Sequence, residues 1–375
     1  MKILIAFDSL KDCMNAEVAG QYLSEGLWRA SPSFDIRNIP MADGGEGTAV
    51  NIVKATNGGM RICKVRDALL RLREAKYGFL GDGITAVIEM AAASGIEHLT
   101  QEERNPWVTS TFGTGELIIH ALDLGCRRII LGIGGSATND GGSGMAAALG
   151  AKLLDVEGKS ISPGGGSLSK LSHIDLSGLD ARIAQTEFLV ACDVSNPLTG
   201  ENGASRSFAA QKGAEAWMIE ALENNLVHYA QTIHKELGLD IEKVSGAGAA
   251  GGLGAGLLAF CKARLENGFS LIADLIGFEA HCKWADLVIT GEGKMDGQTL
   301  SGKTPIGVAR AARKFGKPVI AIAGALGKDY EKLLENDFDA IFCLSDGESD
   351  LQTALRKAPV MLRYTGYSVG RLLNL

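Results

Sequence analysis

The sequence lacks the short motifs by which several enzyme classes are recognised. None of its six histidines forms an H-x-x-H, H-E-x-x-H or mixed Cys/His pattern, which argues against a zinc centre. No G-x-S-x-G segment occurs, so the chain has no nucleophile elbow of the serine-hydrolase type. What remains is an inventory of carboxylates, lysines, hydroxyls and glycine-rich loops. That inventory suits phosphoryl transfer, in which positioning and charge neutralisation account for most of the catalysis.

Three further features that the sequence lacks limit the partners and the cellular location that we expect for the protein. Lys and Arg number 37 against 44 Asp and Glu, and the net charge of −7 argues against nonspecific binding to nucleic acid. No apolar run reaches the ~18 residues of a membrane span, and the N-terminus has no signal-peptide pattern. The seven cysteines are dispersed without a C-x-x-C pair, which fits a reducing compartment. We therefore expect a cytoplasmic protein with no nucleic-acid or membrane partner, and the oligomeric state stays open.

Glycine, in contrast, is abundant, with 49 residues or about 13% of the chain against a typical ~7%. The densest run is GIGGSATNDGGSG at 132–144, between an apolar strand and a small-residue helix. Glycines let the backbone approach a ligand closely, and a following helix start offers unpaired N–H groups to an anion. The run matches neither the Walker A pattern nor the dinucleotide fingerprint. One glycine would be enough for a tight turn, so we favour an anion or nucleotide site.

Strand–helix alternation appears at both ends of the chain and is interrupted in the middle. At 75–90 two apolar segments flank Gly81-Asp82-Gly83, which predicts an antiparallel hairpin. The remaining predicted strands are at 2–7, 34–40, 128–133, 188–192, 286–290, 318–323 and 340–344. The predicted helices are at 16–30 with Asn15 as cap, at 48–55, at 115–124, and from Pro305 with Thr304 as cap.

These elements predict an α/β fold with a discontinuous architecture. Residues 1–62 and 281–375 would share one five-stranded parallel sheet, and residues 63–280 would form an inserted domain of mixed α/β structure. Ligands of open parallel sheets bind beyond the carboxyl ends of the strands. Acids lie at three such ends, in Asp8-Ser9, in Asp43-Gly-Gly-Glu46 and in Gly291-Glu292-Gly293. They can hold a cation or a hydroxyl, although each could also cap a turn or meet a helix dipole.

A long polar loop, 193–205, follows the strand at 188–192 and includes Asp193 and Asn202. Its many specific polar groups favour contact with a substrate. Lys212 follows between Gln and Gly, where a lysine provides a point charge for phosphate or carboxylate, the alternative being a solvated surface lysine. A second glycine run, 246–256, opens an apolar helix, and a packing role and a ligand role are equally supported there.

The chain resembles the bacterial glycerate kinases of the glyoxylate and glucarate/galactarate pathways over nearly its whole length. The matching segments are 41–48 (MADGGEGT), 88–95 (IEMAAASG), 103–106 (ERNP), 113–117 (GTGEL), 132–144, 191–205, 211–214 (QKGA), 246–254, 289–299 (ITGEGKMDGQT) and 302–308 (GKTPIGV). The resemblance implies a discontinuous flavodoxin-like domain beside a second domain. It also implies transfer of phosphoryl from ATP to D-glycerate with Mg²⁺, giving the 2-phospho product.

On that resemblance we assign expected roles to the candidate residues. Asp193 is the first choice for the general base and Asp8 the second, and Lys212 and Lys11 would neutralise charge. Mg²⁺ would be held by Asp43 and Glu292, with Asp296 in reserve. The residues expected to bind substrate or phosphate, in a cleft between the two domains, are Ser9, Gly134, Gly135, Ser136, Thr138, Asn139, Asp140 and Asn202.

Three other functions stay open at this point. Phosphorylation of the 3-hydroxyl would give 3-phosphoglycerate. A nicotinamide-dependent oxidoreductase could use a similar framework, although the glycine run at 132–144 lacks the dinucleotide fingerprint. A binding protein for small anions would need the same loops without catalysis.

Overall fold

The computed structural model describes residues 1–42, 44, 45, 47–301, 303–345, 347 and 349–375. The strands, in chain order, are β1 (Lys2–Phe7), β2 (Asp35–Asn38), β3 (Gly59–Arg66), β4 (Leu72–Phe79), β5 (Thr85–Glu89), β6 (Arg128–Gly132), β7 (Lys152–Leu154), β8 (His173–Asp175), β9 (Glu187–Ala191), β10 (Arg264–Glu266), β11 (Leu287–Met295), β12 (Val319–Leu326) and β13 (Ala340–Cys343). The α-helices are α1 (Ala16–Ala30), α2 (Thr48–Ala55), α3 (Ala91–Ser94), α4 (Phe112–Asp123), α5 (Ser143–Ala148), α6 (Ala204–Phe208), α7 (Ala216–Leu237), α8 (Ala249–Cys261), α9 (Gly268–Leu275), α10 (Phe278–Trp284), α11 (Thr304–Arg313), α12 (Glu331–Asn336) and α13 (Leu351–Leu373).

The chain divides into two compact units. The first unit contains residues 1–43 and 269–375, and the second contains residues 44–268. This division differs from the predicted boundaries at 62/63 and 280/281. At the N-terminal junction the reason is packing, because α2 lies against β4 and β5, and β3 pairs along its length with β4.

The first unit contains the predicted five-stranded parallel sheet. Its order is β13-β12-β11-β1-β2, and every neighbouring pair is parallel. Residues 3–7 of β1 are fully buried, as expected of a central parallel strand that is covered on both faces. The prediction that the strands at 2–7 and 286–290 share one sheet is confirmed.

Helices α1 and α13 pack closely against each other on this sheet. The Asn15 side chain accepts a hydrogen bond from the Val18 N–H at 2.9 Å, which confirms the predicted cap of α1. A Cβ on Gly26 would lie 2.1 Å from the Arg363 carbonyl oxygen, so glycine is needed there for the two backbones to approach.

Two predicted boundaries in the first unit are wrong. Strand β11 does not end before Gly291 but continues to Met295, since β12 extends beside it and Met295 pairs with Leu326. Glu292 therefore lies within the strand. Thr304 is the first residue of α11 and not its cap; Lys303 occupies the cap position.

The second unit is built on a mixed sheet of order β10-β9-β6-β5-β4-β3. The antiparallel pairing of β4 with β5 confirms the predicted hairpin, while β5, β6, β9 and β10 run parallel. Among the described residues, two large hydrophobic clusters of this unit include side chains from α4, α7 and α8. All seven cysteines are free thiols. Within the described part of the chain, no helix combines the length and apolar composition that crossing a membrane requires.

Candidate active site

The loop after β6 in the second unit is pinned by hydrogen bonds from neighbouring segments. The Ile96 N–H donates to the Gly135 oxygen at 2.9 Å, and the Ala137 N–H donates to the Ser94 oxygen at 3.0 Å. The Thr109 hydroxyl donates to the Ala137 oxygen at 2.8 Å. These contacts fix the backbone of the loop before any ligand arrives.

The same loop leaves a short row of donors available. Gly134 and Gly135 are exposed, and Gly135 has a φ of +71°. In the described part of the chain, no protein acceptor pairs with the N–H groups of Gly134, Gly135 and Ser136. Successive N–H groups in such a turn form a concavity that suits an anion. We refer to residues 134–136 as the anion cradle.

Lys212 lies behind the anion cradle. Its side chain is only 2% exposed, and its Nζ donates to Ser136 Oγ at 2.6 Å and to the Thr138 carbonyl oxygen at 2.7 Å. Burial lowers the pKa of Lys212 to about 7, and the nearby Asp140 carboxylate opposes this shift. Gly213 has a φ of +92°, and a Cβ there would meet the Arg104 oxygen at 2.1 Å. The alternative of a solvated surface lysine is wrong.

Asp140 organises the start of α5. Its Oδ2 accepts from the Thr111 N–H at 2.8 Å, the Thr111 hydroxyl at 2.9 Å and the Gly144 N–H at 3.2 Å, and its Oδ1 accepts from the Gly142 N–H at 3.1 Å. The Met145 N–H donates to Thr111 Oγ1. The expectation that the helix start offers unpaired N–H groups is therefore wrong; the donors that remain available lie earlier, in the anion cradle.

Three of the predicted binding residues are buried completely. The side chains of Thr138, Asn139 and Asp140 are 0% exposed. Asn139 donates to Ser205 Oγ at 2.9 Å, which joins the loop to α6. Burial raises the pKa of Asp140, and the hydrogen bonds that it accepts oppose this shift. The structure thus places these groups inside the loop, while the anion cradle is on its surface.

Sequence reasoning did not find Thr111, which joins Asp140 to α5. A weak signal was present in the run Thr109-Ser110-Thr111, directly before α4. Thr111 and Asp140 lie 29 positions apart in the chain, so no local sequence pattern reveals this contact.

The second glycine run packs against the first. Ala250, Gly251 and Gly252 at the start of α8 all have positive φ, and a Cβ on Gly251 would lie 1.9 Å from the Thr138 oxygen. Residues 246–251 read GAGAAG, which has the G-x-G-x-x-G spacing of the dinucleotide fingerprint. That fingerprint follows a strand directly, whereas the strand that precedes this run, β9, ends at Ala191. Of the two roles left open for this run, these contacts show packing.

Asp193 is exposed, just beyond the end of β9. Its Oδ1 accepts from Asn267 Nδ2 at 2.8 Å and from the Gly268 N–H at 2.9 Å, where α9 begins. Asn202 is also exposed, and its carbonyl oxygen accepts from Asn196 Nδ2 at 2.8 Å. Both predicted residues are accessible at the surface of the second unit.

In the first unit, Asp8, Ser9 and Lys11 follow β1 directly. The Asp8 N–H donates to the Gly291 oxygen at 2.9 Å, and Asp8 Oδ1 accepts from the Ser9 N–H at 2.6 Å. Asp8 and Ser9 are half-buried and Lys11 is exposed. This segment therefore lies beside β11 at the carboxyl end of the sheet.

Glu292 and Asp296 form the acidic group of the first unit. Thr299 Oγ1 donates to Glu292 Oε1 at 2.8 Å and accepts from the Asp296 N–H at 3.1 Å. Glu292 is 8% exposed, and this burial raises the pKa of its carboxyl group. The negative charge of Asp296 raises the pKa further, while Thr299 and Lys303 lower it. Lys303 Nζ lies 3.5 Å from Glu292 Oε2, and Lys294 Nζ lies 3.5 Å from Asp296 Oδ2.

Oxygen ligands of this kind suit Mg²⁺, which usually takes one or two carboxylates together with phosphate and water oxygens. Among the described residues, no group of three His, Cys, Asp or Glu side chains is arranged to hold a metal ion. The predicted ligand Asp43, like Glu46, lies outside the described residues.

Residues 297–304 read GQTLSGKT, which has the spacing of a Walker A motif. The described residues of this segment form different contacts. The Gly297 N–H donates to the Lys328 oxygen, the Thr299 N–H donates to the Asp296 oxygen, and Lys303 faces Glu292. These contacts give no support to a phosphate loop of the Walker type.

Comparison with known proteins agrees with this fold. The profile of the Glycerate kinase family matches residues 3–374. A glycerate kinase from Halalkalibacterium halodurans is 50% identical over 98% of this chain and 97% of its own length, and glycerate 2-kinase from Escherichia coli is 49% identical over 96% and 94%. The crystal structure of a protein from Salmonella typhimurium LT2, assigned as glycerate kinase 2, superposes with a TM-score of 0.89 at 46% identity, covering 100% of this chain and 98% of that one. The chain belongs to the glycerate kinase family.

Proposed function

We propose that this chain transfers the γ-phosphoryl group of ATP to the 2-hydroxyl of D-glycerate, giving 2-phosphoglycerate and ADP. The observation that carries this proposal is the family match over residues 3–374. It makes the chain a kinase and decides against the oxidoreductase and the non-catalytic binding protein. The similarity to a relative named glycerate 2-kinase supports the 2-hydroxyl as acceptor.

The anion cradle receives an anionic group of the reactants. Gly134, Gly135 and Ser136 contact that group directly, through their N–H groups and the Ser136 hydroxyl. Thr138, Asn139 and Asp140 are completely buried, and Asn139 and Asp140 hold the loop through hydrogen bonds with Ser205 and Thr111. Lys11 supplies positive charge from the surface, while Lys212 lies buried behind the loop.

Asp193 is the proposed general base. The hydroxyl of glycerate has too high a pKa to attack without help, and a carboxylate within hydrogen-bond reach orients it and takes its proton. Asp193 is exposed, and its carboxylate accepts hydrogen bonds from Asn267 and from the Gly268 N–H. Asp8 is the second choice for this role. Ser9 and Asn202 have hydroxyl and amide groups for contacts with the substrate.

Mg²⁺ is the proposed metal, held by Asp43 and Glu292 with Asp296 in reserve. Two observations support a cation beside Glu292 and Asp296, the proposed ligands that the structure describes. The two carboxylates repel each other, and both offer oxygen ligands. When bound, the ion neutralises charge on phosphate oxygens. A cytoplasmic location, in keeping with the free thiols, belongs to the same proposal.

The test is ADP formation by the purified chain in a coupled assay with ATP, Mg²⁺ and D-glycerate. We expect ADP release that depends on D-glycerate, and phosphorus NMR of the product should show 2-phosphoglycerate. Release of ADP at the same rate without D-glycerate would contradict the kinase assignment. A product identified as 3-phosphoglycerate would move the acceptor to the 3-hydroxyl.

A further inference from the structure

Lys212 is too deeply buried for a direct contact with substrate. Its side chain is 2% exposed, and its Nζ has two oxygen acceptors within 2.7 Å, both from the loop itself. Among the described residues, no carboxylate oxygen lies within 4.0 Å of this Nζ. The only side chain that it contacts by a hydrogen bond there is Ser136, which is 9% exposed.

The chemistry of the Ser136 hydroxyl makes this contact directional. A serine hydroxyl carries one proton and two lone pairs, whereas a protonated lysine is a donor only. In the protonated form of Lys212, Nζ–H donates to Ser136 Oγ and occupies one lone pair, and the hydroxyl proton cannot point back toward the ammonium group. The hydroxyl proton of Ser136 is therefore available for donation to another acceptor, next to the available N–H groups of residues 134–136.

We propose that Lys212 is a positioning residue that acts through Ser136: it sets the Ser136 hydroxyl as a donor to the anion held by the cradle. This inference rests on the proposed function. The anion is a carboxylate or a phosphate group, from D-glycerate or from ATP. Lys212 supplies no contact of its own, so its effect on the reaction disappears when the Ser136 hydroxyl is absent.

A double-mutant cycle on the full chain at pH 6, where Lys212 is protonated, tests this dependence. We expect Ser136→Ala and Lys212→Met each to lower kcat/KM about 10- to 100-fold, the range of a hydrogen bond to a charged group. The double variant should stay within about twofold of Ser136→Ala alone. A rise in KM for D-glycerate assigns the anion to its carboxylate, and a rise in KM for ATP assigns it to phosphate.

Thr109→Val is the matched control. Thr109 also pins the loop, through the Ala137 oxygen, but it does not contact the Ser136 hydroxyl. If Lys212 merely stiffened the loop, Lys212→Met and Thr109→Val would behave alike. In the Ser136→Ala background, Thr109→Val should lower kcat/KM by the same factor as in the wild type. Lys212→Met, in contrast, should change kcat/KM by no more than about twofold in that background.

Two results would overturn the inference. One is an equal loss from Lys212→Met in the wild-type and Ser136→Ala backgrounds, and the other is a Ser136→Ala variant within twofold of wild type in every constant. If Lys212→Met does not fold, Lys212→Gln replaces it in the cycle. Calorimetric binding of ATP and of D-glycerate gives the same comparison without turnover, so that an inactive wild type contradicts the proposed function while the cycle still tests Lys212.

Discussion

The Gly141 N–H donates a hydrogen bond to the Gly251 carbonyl oxygen at 3.0 Å, and through it two glycine-rich segments 110 residues apart meet backbone to backbone. A Cβ on Gly256 would likewise meet the Gly141 oxygen at 2.6 Å. The start of α8 therefore forms the support on which the loop at 138–142 lies. The glycine content of residues 246–256 follows from this approach.

Replacing Gly251 by alanine should destabilise the fold strongly. The new Cβ would lie 1.9 Å from the Thr138 oxygen, and the φ of +67° is unfavourable for any residue with a Cβ. Gly158→Ala is the matched control, because its φ is +76° but no atom lies within 4 Å. We expect the control to lose about 1–2 kcal/mol and Gly251→Ala a further ~1–3 kcal/mol in urea unfolding. Equal losses would contradict the close approach.

Lys212 should make the stability of the protein depend on pH. Its pKa is about 7 in the folded chain against an ordinary 10.5, so between these values the unfolded chain binds a proton that the folded chain lacks. Its contribution to the free energy of unfolding therefore rises with pH across this window, by at most ~1.4 kcal/mol per pH unit, and is flat below pH 7.

The measurement is urea unfolding of the wild type and of Lys212→Met from pH 6 to pH 10. Subtracting the variant's profile removes the titration of all other groups that the two proteins share. We expect the difference to increase toward high pH. A difference that stays constant over the whole range would show that Lys212 keeps an ordinary pKa.

Asp193→Asn should lower kcat by about 10²–10⁴-fold with little change in the KM for ATP, because it removes the proposed base. The same change weakens the contacts to Asn267 and Gly268, and we expect a stability loss of ~1 kcal/mol from this source. Asn267→Ala is the control, since it removes a donor and keeps the carboxylate. A kcat for Asp193→Asn within a few-fold of wild type would move the base role to Asp8.

Asp43→Ala should cost far more activity than stability, because a metal ligand acts on the reaction and not on the core. Glu292→Gln should raise the Mg²⁺ concentration needed for half-maximal rate. Both are measured by titrating Mg²⁺ at saturating ATP and D-glycerate, with a thermal melt of each variant. Near-normal turnover of Asp43→Ala at low Mg²⁺ would remove this residue from the proposed ligands.

The sequence by itself determined the elements whose signals are local. The apolar run 3–7 predicts a buried parallel strand, Asn15 predicts a helix start, and Gly81-Asp82-Gly83 predicts a hairpin, and all three are confirmed. The cap and the hairpin are contacts between residues close in the chain, and the burial of the strand follows from its own apolar composition. The resemblance to the glycerate kinases was also visible in the sequence alone, because it depends on short segments such as 132–144 and 289–299.

Only the tertiary structure decided which polar groups of the glycine loop are available to a ligand. The sequence placed Gly134, Gly135 and Asp140 in one set, but Thr111 and the N–H groups of α5 occupy Asp140, while Gly134 and Gly135 stay exposed. Lys212 was expected to contact phosphate or carboxylate directly, but it is buried, and its partner Ser136 lies 76 residues earlier in the chain. Burial and hydrogen-bond partners are set by contacts between segments distant in the chain, and no local pattern carries that information.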